Sequence, residues 1–196
     1  MNSPFGAHVD TPVERFGVPQ VYRMRSMDAG AMFSKDDISV IVRICNEPLL
    51  WRFLFRDRLG GRPRYQEQDA LAFLDWARAG WISGEHMIFV LRDENEHIGA
   101  CVDVGRLDES REALIGYWAG AHHRGVMTNA LVRLAQLSKE AGYLKLVALV
   151  EPENVRSARV LTRAGFTWLG SEEHPITVFD QPVGRALRYL RYERAL

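Results

Sequence analysis

Residues 113–118 form a short apolar run of the kind that makes a strand. A long amphipathic pattern begins after Gly125, and a turn of glycine and basic residues lies between the two. This corner constrains the fold more than any other part of the chain. Beyond it, Val126, Ala130, Leu131, Leu134, Leu137, Ser138 and Ala141 fall on one helix face, and Gly142 sits where a C-terminal cap belongs. A strand feeding a helix through a tight turn aims several unpaired main-chain N–H groups at one point, where the helix dipole is also positive. Such a terminus holds a phosphate or pyrophosphate, and Gly125 lets a ligand approach the backbone closely. Many strand–turn–helix corners carry one glycine for structural reasons alone, so the corner by itself does not decide.

The rest of the chain supplies a mixed pattern. Residues 21–25 read as a first strand, after an irregular lead-in over residues 1–19 punctuated by Pro4, Pro12 and Pro19. Ser34 and Asp37 resemble a capping box, and Ile38, Ile41, Val42 and Cys45 mark the buried face of a helix that Pro48 breaks or bends. Gly60-Gly61-Arg62-Pro63 is a loop, and residues 66–79 read as a second helix. Residues 86–92, 98–104 and 113–118 read as three antiparallel strands, with turns at 93–96 and 108–110. A buried strand at 144–150 follows the long helix. Asn154 then caps a short helix that Gly165 ends, and further strands lie at 166–169 and 183–192. The order predicts an α/β (α+β) domain over residues 20–196, with helices on the faces of one mixed sheet.

Composition excludes several function classes. Lys plus Arg equals Asp plus Glu at 25 each, so no strong overall field would recruit nucleic acid or an anionic membrane. The two cysteines, Cys45 and Cys101, have neither disulfide-scaffold nor metal-site spacing, and fit a reducing cytoplasm. No run approaches the roughly 20 apolar residues that span a bilayer, and residues 1–20 lack the apolar stretch of a signal peptide.

The segment from Glu151 through Asn154 and Ser157 to Gly165-Phe166 closely resembles the Asn-x-x-Ser…Gly-Phe segment of GNAT N-acetyltransferases. Ile115-Gly116-Tyr117-Trp118 and Gly125-Val126-Met127-Thr128-Asn129-Ala130-Leu131 resemble the ribosomal-protein (alanine/serine) N-acetyltransferase branch in particular. Cys45-Asn46-Glu47-Pro48 also looks like that branch's first-helix exit. The resemblance implies a mostly antiparallel sheet splayed open in the middle, with acetyl-CoA as cosubstrate in the gap and no metal. It places the pyrophosphate on the backbone of His123, Arg124, Gly125, Val126, Met127 and Thr128. The pantetheine falls along residues 114–119 with Trp118, an N–H near Ala119 polarises the thioester carbonyl, and Asn154 contacts the pantetheine arm. The acceptor it implies is a primary amine, either a protein N-terminus or a small molecule; a homodimer is left open.

This sequence departs from the family pattern in places. The family loop reads Gln/Arg-x-x-Gly-x-Gly/Ala, whereas here His122 stands first, Gly125 fourth and Met127 sixth. His122 is then a phosphate-side contact or a surface residue. The tyrosine that many GNAT enzymes carry seven positions after the Asn, as general acid, is Leu161 here. Ser157 is the nearest replacement, with a helix-capping role as its structural alternative. A glutamate commonly found after Gly-Phe is replaced near Ile176 and Thr177, which leaves Glu151, Glu153, Glu173 and Asp103 as base candidates, with water or the amine's own ionisation as the alternative to any of them. Cys101 reads as a small buried hydrophobe. Arg52, Arg56, Arg58, Arg62 and Arg64 read as a charged loop face, and as a partner surface only second. Arg124, Arg156, Arg159 and Arg163 lie nearer the nucleotide end. The competing class is a non-catalytic acyl-CoA-binding sensor on the same fold, which the missing tyrosine and glutamate would suit.

Overall fold

The computed structural model describes residues 3–59, 61–106, 109–179 and 181–196. In chain order the elements are β1 (Asp10–Glu14), β2 (Val21–Ser26), α1 (Lys35–Cys45) and α2 (Pro48–Leu50), which runs into a π-helical turn (Trp51–Phe55). Then come α3 (Glu67–Ser83), β3 (His86–Arg92), β4 (Ile98–Gly105), β5 (Glu112–Ala119), α4 (Val126–Glu140) and β6 (Lys145–Val150). The chain finishes with α5 (Val155–Arg163), β7 (Thr167–Val178) and β8 (Gln181–Ala195). Among the described residues the strands form one eight-stranded sheet of order β1-β2-β3-β4-β5-β6-β8-β7.

Every neighbouring pair is antiparallel except β5 and β6. That parallel pair is joined only from Glu112↔Lys145 to Ile115↔Ala148. Past this point β5 stays with β4, as far as Ala100↔Ala119, while β6 stays with β8, as far as Val150↔Leu190. The sheet therefore opens between the ends of β5 and β6, the expected mixed and splayed architecture.

The core lies along β3, which is buried at every position. Ile41, Leu74 and Trp81 from α1 and α3, and Ala130, Leu131 and Leu134 from α4, are also withdrawn from solvent. Burial of such side chains contributes about 1.5–3 kcal/mol each. The α1 start is as expected: Ser34 Oγ accepts from the Asp37 amide and Asp37 reaches back to the Ser34 amide. Asn154 likewise caps α5, and Gly165 follows that helix with φ +83°.

Two expectations are corrected, and a third is extended. The lead-in over 1–19 is not irregular throughout, because β1 pairs with β2 from Asp10↔Arg25 to Glu14↔Val21. Pro48 marks the break after α1 as expected, since α1 ends at Cys45, and it then opens α2, where its missing N–H has no intrahelical use. The last two strands are longer than their apolar runs, since β7 and β8 stay paired out to Val178↔Gln181 with both faces largely wet. Gly60 of the expected loop and Asp108 of the expected turn lie outside the described residues.

Candidate active site

Main-chain direction along β5 decides what faces the gap. Arg111 O accepts from Leu144 N at 2.8 Å on the β6 side, whereas Gly120 N donates to Gly99 O at 2.9 Å on the β4 side. Strand groups alternate with a period of two, so Tyr117 and Ala119 present their N–H and C=O to the open side, where β6 has diverged. At the end of this strand stands α4. While α1 and α3 begin with capping boxes, α4 begins at Gly125 with φ +96° and no side-chain cap. Its first-turn amides thus receive no acceptor from an N-cap side chain. A side chain at Gly125 would be strained by that φ, and its Cβ would lie 3.1 Å from Phe16 O.

These groups border a cavity of about 750 Å³. Its walls include Trp118, Ala119, His123, Arg124, Gly125, Met127, Asn154 and Ser157, so most residues expected at a cofactor site converge. Leu50, Phe53 and Leu54, from α2 and the π-helical turn, close the opposite wall. Arg124, Arg156, Arg159 and Arg163 line it too, and none of the four pairs with a carboxylate among the described residues. An anion-accepting field and uncapped amides at one end, with an apolar wall and a free strand edge at the other, fit a nucleotide thioester such as acetyl-CoA.

A second cavity of about 370 Å³ lies beyond the gap, with Asp103, Gly116, Glu151, Thr177 and Tyr189 in its walls. The two cavities share Phe53, Leu54, Tyr117, Asn154 and Ser157. The family model of the acetyltransferase (GNAT) domain matches residues 31–167. The chain belongs to the GNAT acetyltransferase family. Its cosubstrate is accordingly acetyl-CoA. By sequence alone, no curated protein matches the chain.

Solved GNAT-type structures share the fold at low identity. RimJ of Mycobacterium smegmatis in complex with a CoA disulfide aligns with a TM-score of 0.76 at 20% identity, over 100% of this chain and 90% of that one. The ribosomal-protein-S5-alanine acetyltransferase of Vibrio fischeri gives 0.62 at 15%, over 95% and 96%. A spermidine N-acetyltransferase from Vibrio cholerae, in complex with CoA and spermine, gives 0.62 at 15%, over 84% and 93%.

Within the GNAT frame, some expected residues take other parts. Val126 and Thr128 do not line the first cavity, and the Val126 side chain is fully buried. The His123 ring turns inward, with Nδ1 2.8 Å from Tyr22 Oη. It packs so closely on Gly99 that a Cβ there would lie 2.4 Å from Nδ1. Burial holds this imidazole below the ordinary histidine range, and hence neutral near pH 7. His123 thus anchors the turn through its ring. His122 is exposed.

Ser157 donates its amide to Asn154 Oδ1 at 3.2 Å, so Asn154 is an N-cap, and it also borders both cavities. The Ser157 hydroxyl is hydrogen-bonded to Tyr117 Oη, which in turn donates to Ser157 O at 3.2 Å. Burial raises the Tyr117 hydroxyl above the usual phenol range, despite the bond from Ser157, so it stays protonated at neutral pH. Sequence reading missed Tyr117; its one cue was a phenol in the half of β5 that loses its neighbour. Leu161, the family's tyrosine position, is fully buried in the core.

Of the base candidates, Glu151 and Asp103 reach the second cavity. Glu153 pairs with Arg52, and neither it nor Glu173 lines either cavity. Burial raises the Glu151 carboxyl, partly offset by Arg56 and Arg58. Asp103 fits beside β5 because residue 116 is glycine: a Cβ there would lie 2.5 Å from Asp103 Oδ1. The arginine-rich stretch is largely bound within the chain. Arg58 donates to Leu54 O at 2.7 Å and Thr177 O at 3.2 Å, Arg62 pairs with Asp69 at 2.6 Å, and Arg56 with Asp57 at 2.9 Å. Cys101 is a free, buried thiol outside both cavities, its ionisation opposed by burial. Among the described residues no cluster of three or more His, Cys, Asp or Glu could hold a metal. No described helix is long and apolar enough to cross a membrane.

Proposed function

We propose that the protein is an N-acetyltransferase that moves the acetyl group of acetyl-CoA to a primary amine, a protein N-terminus or a small molecule, by direct attack with both substrates bound. One observation carries the reading: the donor and second cavities share a wall at Tyr117, Asn154 and Ser157. Acetyl-CoA supplies the activated acyl group. The amides of the α4 first turn, with Arg124 and the α5 arginines, hold its diphosphate end; the open edge of β5 and Asn154 hold the pantetheine arm. The Ala119 N–H is the donor to the carbonyl oxygen, where negative charge grows during transfer.

Two protons must move. The acceptor must lose one, and Glu151 takes it, with a carboxyl made more basic by burial. The departing sulfur must gain one: the Ser157 hydroxyl gives its proton to the sulfur while the Tyr117 phenol turns its own from Ser157 O to Ser157 Oγ, and solvent reprotonates the phenol afterwards. This pair fills the part left open by Leu161, and the second cavity is a feature that a non-catalytic sensor has no use for. Two free thiols, Cys45 and Cys101, fit residence in the reducing cytoplasm. Thiol release measured while both acetyl-CoA and an amine are varied tests the proposal. Intersecting double-reciprocal lines are expected; parallel lines would show an acyl-enzyme route and overturn direct attack. Tight CoA binding with no turnover across a broad panel of amines and peptides would favour the sensor.

A further inference from the structure

We infer that Arg15 is a positioning residue of the donor site, whose guanidinium holds the turn before α4 in the shape that points its amides at the diphosphate. The inference rests on the donor-site reading above. Arg15 directly follows β1, yet its side chain reaches the far turn. Nε donates to Arg124 O at 2.8 Å and Nη2 to His122 O at 2.8 Å. Nη1 donates to Gln20 Oε1 at 2.9 Å, which fixes the fork at a third corner. The next residue, Phe16, donates its amide to Gly125 O at 3.1 Å. Residues 15 and 16 therefore hold the carbonyls of His122, Arg124 and Gly125.

A trans peptide is planar, so a carbonyl drawn one way sends the following N–H the other way. Tethering the carbonyls of Arg124 and Gly125 turns the amides of Gly125 and Val126 away from residues 15–16. Neither Arg15 nor Phe16 lines the donor cavity, whereas Arg124 and Gly125 do, so this strap lies behind the turn and the cavity in front. The strap is itself seated along α4: Asn129 Nδ2 donates to Glu14 O at 2.8 Å and Arg133 Nε to Thr11 Oγ1 at 2.9 Å. All three Arg15 acceptors are neutral, so its charge also adds to the positive field at the turn. A lysine carries the charge but not the planar fork that spans two carbonyls.

The test compares calorimetric binding of CoA with that of pantetheine, which lacks the diphosphate, in the unaltered protein, Arg15→Lys and Arg15→Gln. CoA affinity should fall roughly tenfold or more in Arg15→Gln and less in Arg15→Lys, since a charge-assisted bond is lost in one and weakened in the other. Pantetheine affinity should stay the same in all three. Unchanged CoA affinity in Arg15→Gln overturns the inference. So does an equal loss for pantetheine, which would make Arg15 a support of the fold alone. If Arg15→Gln does not fold, Arg15→Lys decides, through the same contrast between the two ligands. Absence of CoA binding by the unaltered protein would bring down the donor-site reading, and this inference with it.

Discussion

The two cavities that meet at Ser157 are built in different ways. The first cavity takes its polar character from main chain, from the arginines of two short stretches of sequence, residues 117–127 and 154–163, and from Glu47. The second cavity draws side chains from α3, β3, β4, β6, β7 and β8, with Trp76, His86, Asp103, Glu151, His174 and Tyr189 among them. A site made of backbone tolerates side-chain replacement so long as the turn keeps its shape, which is how His122 and Met127 can stand where the family has other residues. A site made of dispersed side chains can be retuned by any one of them. On this contrast, the first cavity depends on the shape of one turn and the second on individual side chains.

The sharpest way to break the contrast is at the shared wall. Ser157→Ala and Tyr117→Phe should each lower kcat by about 10²-fold or more, as loss of an acid catalyst does, with the KM for acetyl-CoA little changed. A raised KM with kcat intact would move the pair wholly to the donor side. Gly125→Val should act on the donor side alone. A β-branched residue at φ +96°, facing Phe16 O, should weaken CoA binding by roughly 10- to 100-fold in calorimetry while leaving the KM of the amine unchanged.

Glu151→Gln should act on the other side, lowering kcat/KM for the amine by roughly tenfold. The sign of its pH dependence follows from burial. The carboxyl is raised, a base must be ionised to work, and so activity is lost as pH falls through a value above the ordinary glutamate range. That acid limb should be missing from the pH profile of Glu151→Gln. The smallest effect belongs to His122→Ala: its exposed side chain should change CoA affinity by no more than about twofold. A larger loss would show that the turn works through side chains after all.

The same contrast explains what could be read from the sequence. The Gly125 corner, the Asn154 cap and the strands of the middle sheet carry local signals, a cap residue or a run of one periodicity, and all are present. β1 was hidden because Pro4, Pro12 and Pro19 suggested a loop, although Val9, Thr11 and Val13 alternate and are buried. The helical turns at 48–55 were hidden because Pro48 can end one helix or open another, and only its neighbours in space decide. β7 and β8 outrun their apolar runs because two wet faces leave no alternation to see. At the site, the start of α4 at Gly125 was legible because a glycine before an amphipathic run marks a helix start. The contact between Tyr117 and Ser157 was not, since it joins positions 40 residues apart.

Pro12 sits in β1, the outermost strand on its side of the sheet. Val9 O and Arg15 N both bond toward β2, so the odd residues of this stretch point inward and Pro12 points outward. The proline therefore removes no rung from the ladder, but it leaves a missing donor in the row that a foreign strand would have to match. Growth of the sheet by stacking another chain against this flank is blocked at its centre. Edge-to-edge strand pairing through β1 is thereby disfavoured next to the strap that carries Arg15.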